Sequence, residues 1–309
     1  MIRQPLPIFF CNVLWAVTKP RGTWFIHKKH ELLVRYLGKD LDQVISKHRD
    51  RAVEMPPAPA IPKRVWTLWY TKDNQPELVE HCLRRMKRSL EPLGYEVTVL
   101  DKGNISSYVD MSDLDPFLER GDIAIQFYSD LLRARLLRKY GGFWIDSTMA
   151  VLDPQGLEAM RLSVPFISIT KTPRWPQSHN YVLGDKWTAF FWGTYEGNPF
   201  FEYLDDAFTY FLKKHHGIFD YLHIDYTIAC GYTYVPYIKD QIDSFKAFYP
   251  ETIDNTTLVG LLNEPFDASK LDQITKEAPV QKLTYKGFQP LKDRGETFYT
   301  YLARTWEEA

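Results

Sequence analysis

The chain has 309 residues, room for one large domain with an appendage or for two modest domains. Hydrophobic residues make up 45% and charged residues 25%, an ordinary globular mix, and the formal net charge is -1. That balance, with no basic stripe interleaved with aromatics, speaks against a nucleic-acid partner, and no run reaches the roughly 18 apolar residues that span a bilayer.

The first predicted element is the apolar stretch Pro7 to Val17, PIFFCNVLWAV. Asn12 interrupts it, and the basic KPRG follows where a signal peptide would carry small residues, so the segment is expected to be retained. Lys28 to Lys47 then sets Leu32, Leu33, Tyr36, Leu37, Leu41, Val44 and Ile45 at helical spacing, with Gly38 the expected break between two helices. The proline-rich run at 55–62, MPPAPAIP, cannot be helix interior. Residues 1–57 therefore read as a helical appendage. Its Arg3, Lys19, Arg21, Lys28, Lys29 and Arg35 lie beside Phe9, Phe10, Trp15, Trp24 and Phe25. Such a segment suits either a surface resting on anionic lipid headgroups or a cap packed on the main domain. Cys11, Cys82 and Cys230 are widely spaced and odd in number, with no metal-site spacing. A reducing, cytoplasmic setting is expected, with peripheral contact at the inner face of the cell membrane if the appendage meets lipid.

Residues 58–309 form the main unit. Lys63 to Tyr70 (KRVWTLWY) reads as a buried first strand, Glu77 to Leu90 as an amphipathic helix, and Glu96 to Leu100 as a second strand. A helix over Tyr128 to Tyr140 and a third strand over Phe143 to Asp146 follow. Alternating strand and helix predicts an α/β layer with a mostly parallel sheet. From about residue 160 to 300 the pattern sets no order. Aromatic content is 15%, which suits either a large core or a cleft that packs against sugar faces.

The chemistry concentrates in Ser129 to Thr148, SDLLRARLLRKYGGFWIDST. Asp130 and Arg133, three apart, are neighbours on one helical face. Gly141 and Gly142 are expected to end the helix in a left-handed cap. Asp146 then falls at the end of a short apolar strand, and open α/β sheets bind ligands outside the carboxyl ends of their strands. A carboxylate there suits a divalent cation shared with substrate phosphates. Taken singly, Asp130 with Arg133 could be a surface ion pair and Asp146 a turn residue. The ordered run of helix, Gly-Gly, strand and Asp favours function.

That run resembles the core of the capsular polysaccharide synthesis proteins, relatives of the glycosyltransferase family 32 enzymes, which carry S-D-x-x-R followed by L-x-x-x-G-G-x-Y/W-x-D. The opening IPKRVWTLWY at 61–70 resembles the same families' first strand, and QKLTYK at 281–286 a late K-L-T-x-K segment. The resemblance implies a GT-A fold, a Rossmann-like, mostly parallel sheet flanked by helices. It implies a retaining transferase that moves a hexose from a nucleotide sugar, expected to be a UDP-sugar, to a glycan or lipid-linked saccharide acceptor in surface polysaccharide synthesis. It gives Asp130 and Arg133 the donor-sugar hydroxyls. Asp146 and Ser147 go to the diphosphate, with Asp146 and Thr148 at a Mn2+ or Mg2+ ion. Trp69 and Tyr70 lie near the base, and Thr284 and Lys286 near the diphosphate.

One departure is Thr148, which stands where D-x-D has its second carboxylate. Asp225, in DYLHIDYTI at 220–228, is the candidate compensating or catalytic carboxylate; the plainer alternative is an exposed Asp on a core helix. Tyr181 to Tyr195 reads as an acceptor cleft or as a packed hairpin or helix. His215 and His216 read as a solvated helix end, and His179 and His223 as structural. The alternative function is a catalytically inactive, glycan-binding or scaffold relative, supported by Thr148 alone.

Overall fold

The computed structural model describes residues 6–18, 23–71, 73–169, 182–183, 186–218, 220–249, 253–291 and 295–308. Helices α1 (Leu6–Thr18), α2 (Thr23–Asp40) and α3 (Asp42–Arg49) come first. β1 (Arg64–Leu68), α4 (Glu77–Leu90), β2 (Glu96–Leu100), α5 (Asp115–Glu119), α6 (Ile125–Tyr140) and β3 (Gly142–Ile145) follow. Next are β4 (Met149–Val151), α7 (Pro154–Ser163), β5 (Phe166–Ser168), β6 (Phe191–Thr194) and α8 (Pro199–His215). The chain ends with α9 (His223–Tyr234), α10 (Pro236–Phe248), α11 (Ala268–Glu277), β7 (Val280–Lys282) and α12 (Phe298–Glu308).

The central sheet has the order β2-β1-β3-β6-β5. β1 runs parallel to both β2 and β3, while β6 is antiparallel to β3 and β5. Four strands thus share one direction and β6 alone is reversed. From β1 the chain steps to β2 on one side and then crosses to β3 on the other. The gap between the carboxyl ends of β1 and β3 is therefore the topological switch point, where open α/β sheets bind ligands. A second, two-stranded sheet pairs β4 with β7, setting Met149 against Lys282.

The helix α6 is buried on most of its surface, including Phe127, Leu131, Leu132, Leu136 and Leu137. It packs on the sheet on one side and on α8 on the other, and this double burial desolvates the polar residues it carries. At its end Gly141 has φ 61 and ψ -155, an extended conformation closed to other residues, rather than the expected left-handed helical cap. Gly142 has φ 88, and a Cβ there would stand 2.6 Å from the Arg64 carbonyl oxygen. The pair lets β3 turn out of α6 directly against β1.

The expected break at Gly38 is corrected: α2 runs through it, and the chain kinks at Leu41. Gly38 serves close packing instead, since a Cβ there would lie 2.5 Å from the Tyr234 ring of α9. Leu33, Leu37, Leu41, Val44 and Ile45 share one core with Phe208, Tyr226 and Ile238, so α2 and α3 pack on α8 and α9. Lys29 Nζ meets Asp220 Oδ2 at 2.7 Å, and His30 Nδ1 meets the Tyr226 hydroxyl at 2.8 Å. Arg3, Lys19 and Arg21 lie outside the described residues, as do His179, Tyr181, Gly184 and Asp185. His215 is not a freely solvated end, because its Nε2 pairs with Asp40 Oδ2 at 2.7 Å. The three cysteines are free and buried. Among the described residues no helix is long and apolar enough to cross a membrane.

Candidate functional site

β1 delivers Trp69 and Tyr70 just past its carboxyl end, and β3 delivers Asp146 one residue past its own. Because β6 runs the other way, its incoming residues Ala189 and Phe190 reach the same edge, and Asp146 N–H donates to the Phe190 carbonyl at 3.0 Å. α6 brings Asp130 and Arg133 over this edge. Together with Asp225 from α9 and the segment 282–286 after β7 they enclose a cleft of about 600 Å³. Trp69, Tyr70, Asp130, Arg133, Asp146, Ser147, Thr148, Asp225, Thr284 and Lys286 all line it.

Arg133 is the hub. It is 6% exposed, and its guanidinium stacks 4.8 Å from the centre of the Trp144 ring. Its Nη2 lies 3.2 Å from Asp130 Oδ1 and donates to Ser129 Oγ at 3.1 Å, while Nη1 donates to the Ala189 carbonyl. Asp146 Oδ1 is 3.9 Å away and accepts from Trp144 Nε1 at 2.9 Å. Stacking and hydrogen bonds fix the fork in one plane, which lowers the entropy lost when it engages a ligand.

The two carboxylates differ in charge behaviour. Burial pushes Asp130 up to about 7, with Arg133 pulling against it and the charges of Asp225 and Asp146 adding to it. Burial also acts upward on Asp146, but Lys282 and Arg133 outweigh it and, with the Trp144 hydrogen bond, hold that carboxyl below its usual range. Ser147 and Thr148 are buried beside Asp146. Asp225 is 8% exposed and accepts from Trp187 Nε1 at 3.0 Å, so the expectation of an exposed Asp is corrected. Tyr70 packs edge-on against Tyr128, and burial, with Asp115 nearby, raises the pKa of its hydroxyl. Trp69 packs edge-on against Tyr285, and its buried Nε1 finds no acceptor among the described residues.

Lys282 is the residue that sequence reasoning missed. Its Nζ donates to Asp146 Oδ2 at 3.0 Å and to Thr148 Oγ1 at 2.7 Å, over the Phe190 ring. Thr284 and Lys286 are exposed at the cleft margin. The signal was present, since an extended QKLTYK sets residues 282, 284 and 286 on one face. Its exact place depends on β7. Leu283 N–H donates to the Thr148 carbonyl, and Asn255 and Gln281 tie the strand to the loop before it through hydrogen bonds with Val280, Leu258 and Asp254. Trp187 was also missed; it lies in the aromatic run Tyr181 to Tyr195, whose Ala189 and Phe190 line the cleft.

The sequence suggested a divalent ion at Asp146 and Thr148, and in the structure both side chains are bonded to Lys282. Magnesium sits about 2 Å from its oxygens and manganese takes the same kind of oxygen ligands. Here the ammonium of Lys282 fills the space between the two intended ligands. Asp130 is turned to Arg133 and Asp225 to Trp187. Among the described residues, the one group of three metal-ligating side chains is His48, Glu202 and Asp206, on α3 and α8, where Lys47 and Arg51 already pair with the carboxylates.

Fold and cleft together define an α/β protein whose pocket, largely apolar with three acidic and three basic side chains, sits at the switch point of a mostly parallel sheet. The family model described as "Capsular polysaccharide synthesis protein" matches residues 16–302, and the chain belongs to that family. No curated protein sequence matches it. Among solved structures it is similar to "PaToxG Glycosyltransferase", at 11% identity and a TM-score of 0.41, over 83% of this chain and 94% of that one.

Proposed function

We propose that the chain is a retaining glycosyltransferase that transfers a hexose from a UDP-sugar to a glycan or lipid-linked saccharide acceptor. The observation that carries the reading is the convergence of Asp130, Arg133, Asp146, Asp225 and Lys282 from four separate segments in one cleft at the switch point. Membership of a capsular polysaccharide family supports the same chemistry.

In this reading Trp69 supplies an edge for the base and its indole N–H is a donor awaiting an acceptor. Arg133 and Asp130 hold the sugar hydroxyls, so the anomeric carbon is presented in one orientation. Lys282 supplies the positive charge for the leaving diphosphate, the role that a metal fills in other transferases. Thr148 suits this arrangement, because a hydroxyl accepts from an ammonium where it would be a poor ligand for a hard divalent ion. Thr148 therefore gives no separate support to an inactive, glycan-binding relative. Lys286, exposed at the rim, adds a second cation within reach of a bound diphosphate.

The test is a thermal-shift panel of nucleoside diphosphates and their sugars, with manganese and with a chelator, followed by turnover of the best donor. A ligand at a hundred times its dissociation constant stabilises by about 2.7 kcal/mol. The expected result is a shift with one uridine nucleotide that survives chelation, and release of UDP on addition of acceptor. No shift with any nucleotide, with or without metal, sinks the transferase reading and leaves the glycan-binding one.

A further inference from the structure

Large exposed apolar side chains are concentrated in one place. On α1, Leu6, Phe9, Phe10, Val13, Leu14 and Val17 are each 42–79% exposed. They recur at i, i+3, i+4, i+7, i+8 and i+11, a single helical stripe. The opposite stripe, Ile8, Cys11 and Trp15, is buried. Trp24, near the start of α2, is a further large exposed apolar side chain, at 66%. Elsewhere exposed apolar residues are scattered, which is normal, whereas a contiguous ridge marks a contact surface.

Charge decides which contact. From Met1 to His30 the sequence has no Asp or Glu, while it has Arg3, Lys19, Arg21, Lys28 and Lys29. Lys29 is committed to Asp220. Lys28 pairs with Glu31 at 2.7 Å, and the sequence up to His30 still carries net positive charge, so its basic residues favour an anionic leaflet. A twofold contact of α1 with α1 of a second copy would instead bring like charges together. At 13 residues the helix is about 20 Å long, too short to cross a bilayer but suited to lie in its interface.

We infer that the outward stripe of α1, with Trp24, docks this chain on the surface of an anionic lipid bilayer. α1 packs on α2, and α2 grips the start of α9 through Lys29 to Asp220 and His30 to Tyr226. The same segment contributes Tyr221, Leu222, Ile224 and Asp225 to the cleft. Docking therefore holds that wall of the cleft near the bilayer, where a lipid-linked acceptor would arrive. This consequence for the acceptor rests on the transferase reading; the docking itself does not.

The experiment is co-sedimentation of the full chain with vesicles of phosphatidylcholine alone and with about 30% phosphatidylglycerol. The full chain is expected to pellet with the anionic vesicles, with binding about tenfold weaker on neutral ones or in about 0.5 M NaCl. The triple substitution Phe9→Ser, Phe10→Ser and Val17→Ser touches only exposed positions, so it is expected to keep the melting temperature and nucleotide binding while losing the vesicles. Equal pelleting of the variant, or none by the native chain, overturns the inference. A dimer in analytical ultracentrifugation that the triple variant converts to monomer, without vesicle binding, assigns the ridge to a second copy instead. Failure of nucleotide binding with vesicle binding intact would strike the transferase reading alone.

Discussion

Replacing Lys282 by Met tests the charge arrangement of the cleft most directly. The substitution keeps the stem that covers Phe190 and removes the ammonium. At 3.0 Å from Asp146 the gross attraction in a medium of effective dielectric 20 is about 5 kcal/mol. Lys282 and Asp146 are 18% and 28% exposed, so solvent screens part of this and the folded state should lose only about 1–3 kcal/mol. Asp146 keeps Arg133 at 3.9 Å and the Trp144 bond, so it stays partly compensated. The larger effect is expected in turnover. Removing one preorganised group aimed at developing charge costs roughly 10²–10³ in kcat. The assay is steady-state release of nucleoside diphosphate, with manganese and with chelator, on the native chain, Lys282→Met and Lys282→Arg. The native chain should tolerate the chelator, the Met variant should fall by roughly 10²-fold or more, and Arg should recover part of the loss. A Met variant within about threefold of native refutes the role of Lys282 in turnover. So does a native enzyme that stops with chelator and restarts with manganese, which would make Asp146 a metal ligand after all.

Three further outcomes are expected. Gly142→Ala should lower stability by about 3 kcal/mol, because φ 88 is strained for alanine and the new Cβ meets the Arg64 carbonyl; calorimetry should show a drop of roughly 4–5 °C, and a drop under about 1 °C would refute the clash. Lys29→Met strands the mostly buried Asp220 carboxylate and should cost about 3 kcal/mol in denaturant unfolding, with a change below about 1 kcal/mol counting against the anchor. Asp130 has a folded pKa raised to about 7, so the native state holds a proton that the unfolded state releases near pH 4. Stability from this group is full below about pH 4 and is lost as pH rises through about 7. Asp130→Asn should therefore gain on the native chain by about 2 kcal/mol across that window; a pH-independent difference would falsify the buried-proton account.

Local chemistry made much of the fold legible in the sequence. The helix over 77–90 and the strand over 96–100 were read at their observed bounds, because period 3.6 records the face the helix buries and the β-branched run EVTVL suits a strand. The Gly-Gly step was readable because only glycine tolerates positive φ and close backbone approach there. From it followed the place of Asp146 at a strand end and of Asp130 and Arg133 on the preceding helix. Gly38 shows the limit: glycine disfavours a helix only weakly, and the nearby ring of Tyr234, far along the chain, decided its use. The same holds for Asp225, whose burial against Trp187 depends on how α9 meets the incoming end of β6. Lys282 lies 134 residues beyond Thr148, and only the pairing of β7 with β4 sets its ammonium between Asp146 and Thr148. Residue types and spacing determined which groups could do chemistry, because those are local properties. Tertiary packing decided their charges and partners, because desolvation and ion pairing depend on neighbours that only the folded chain brings together.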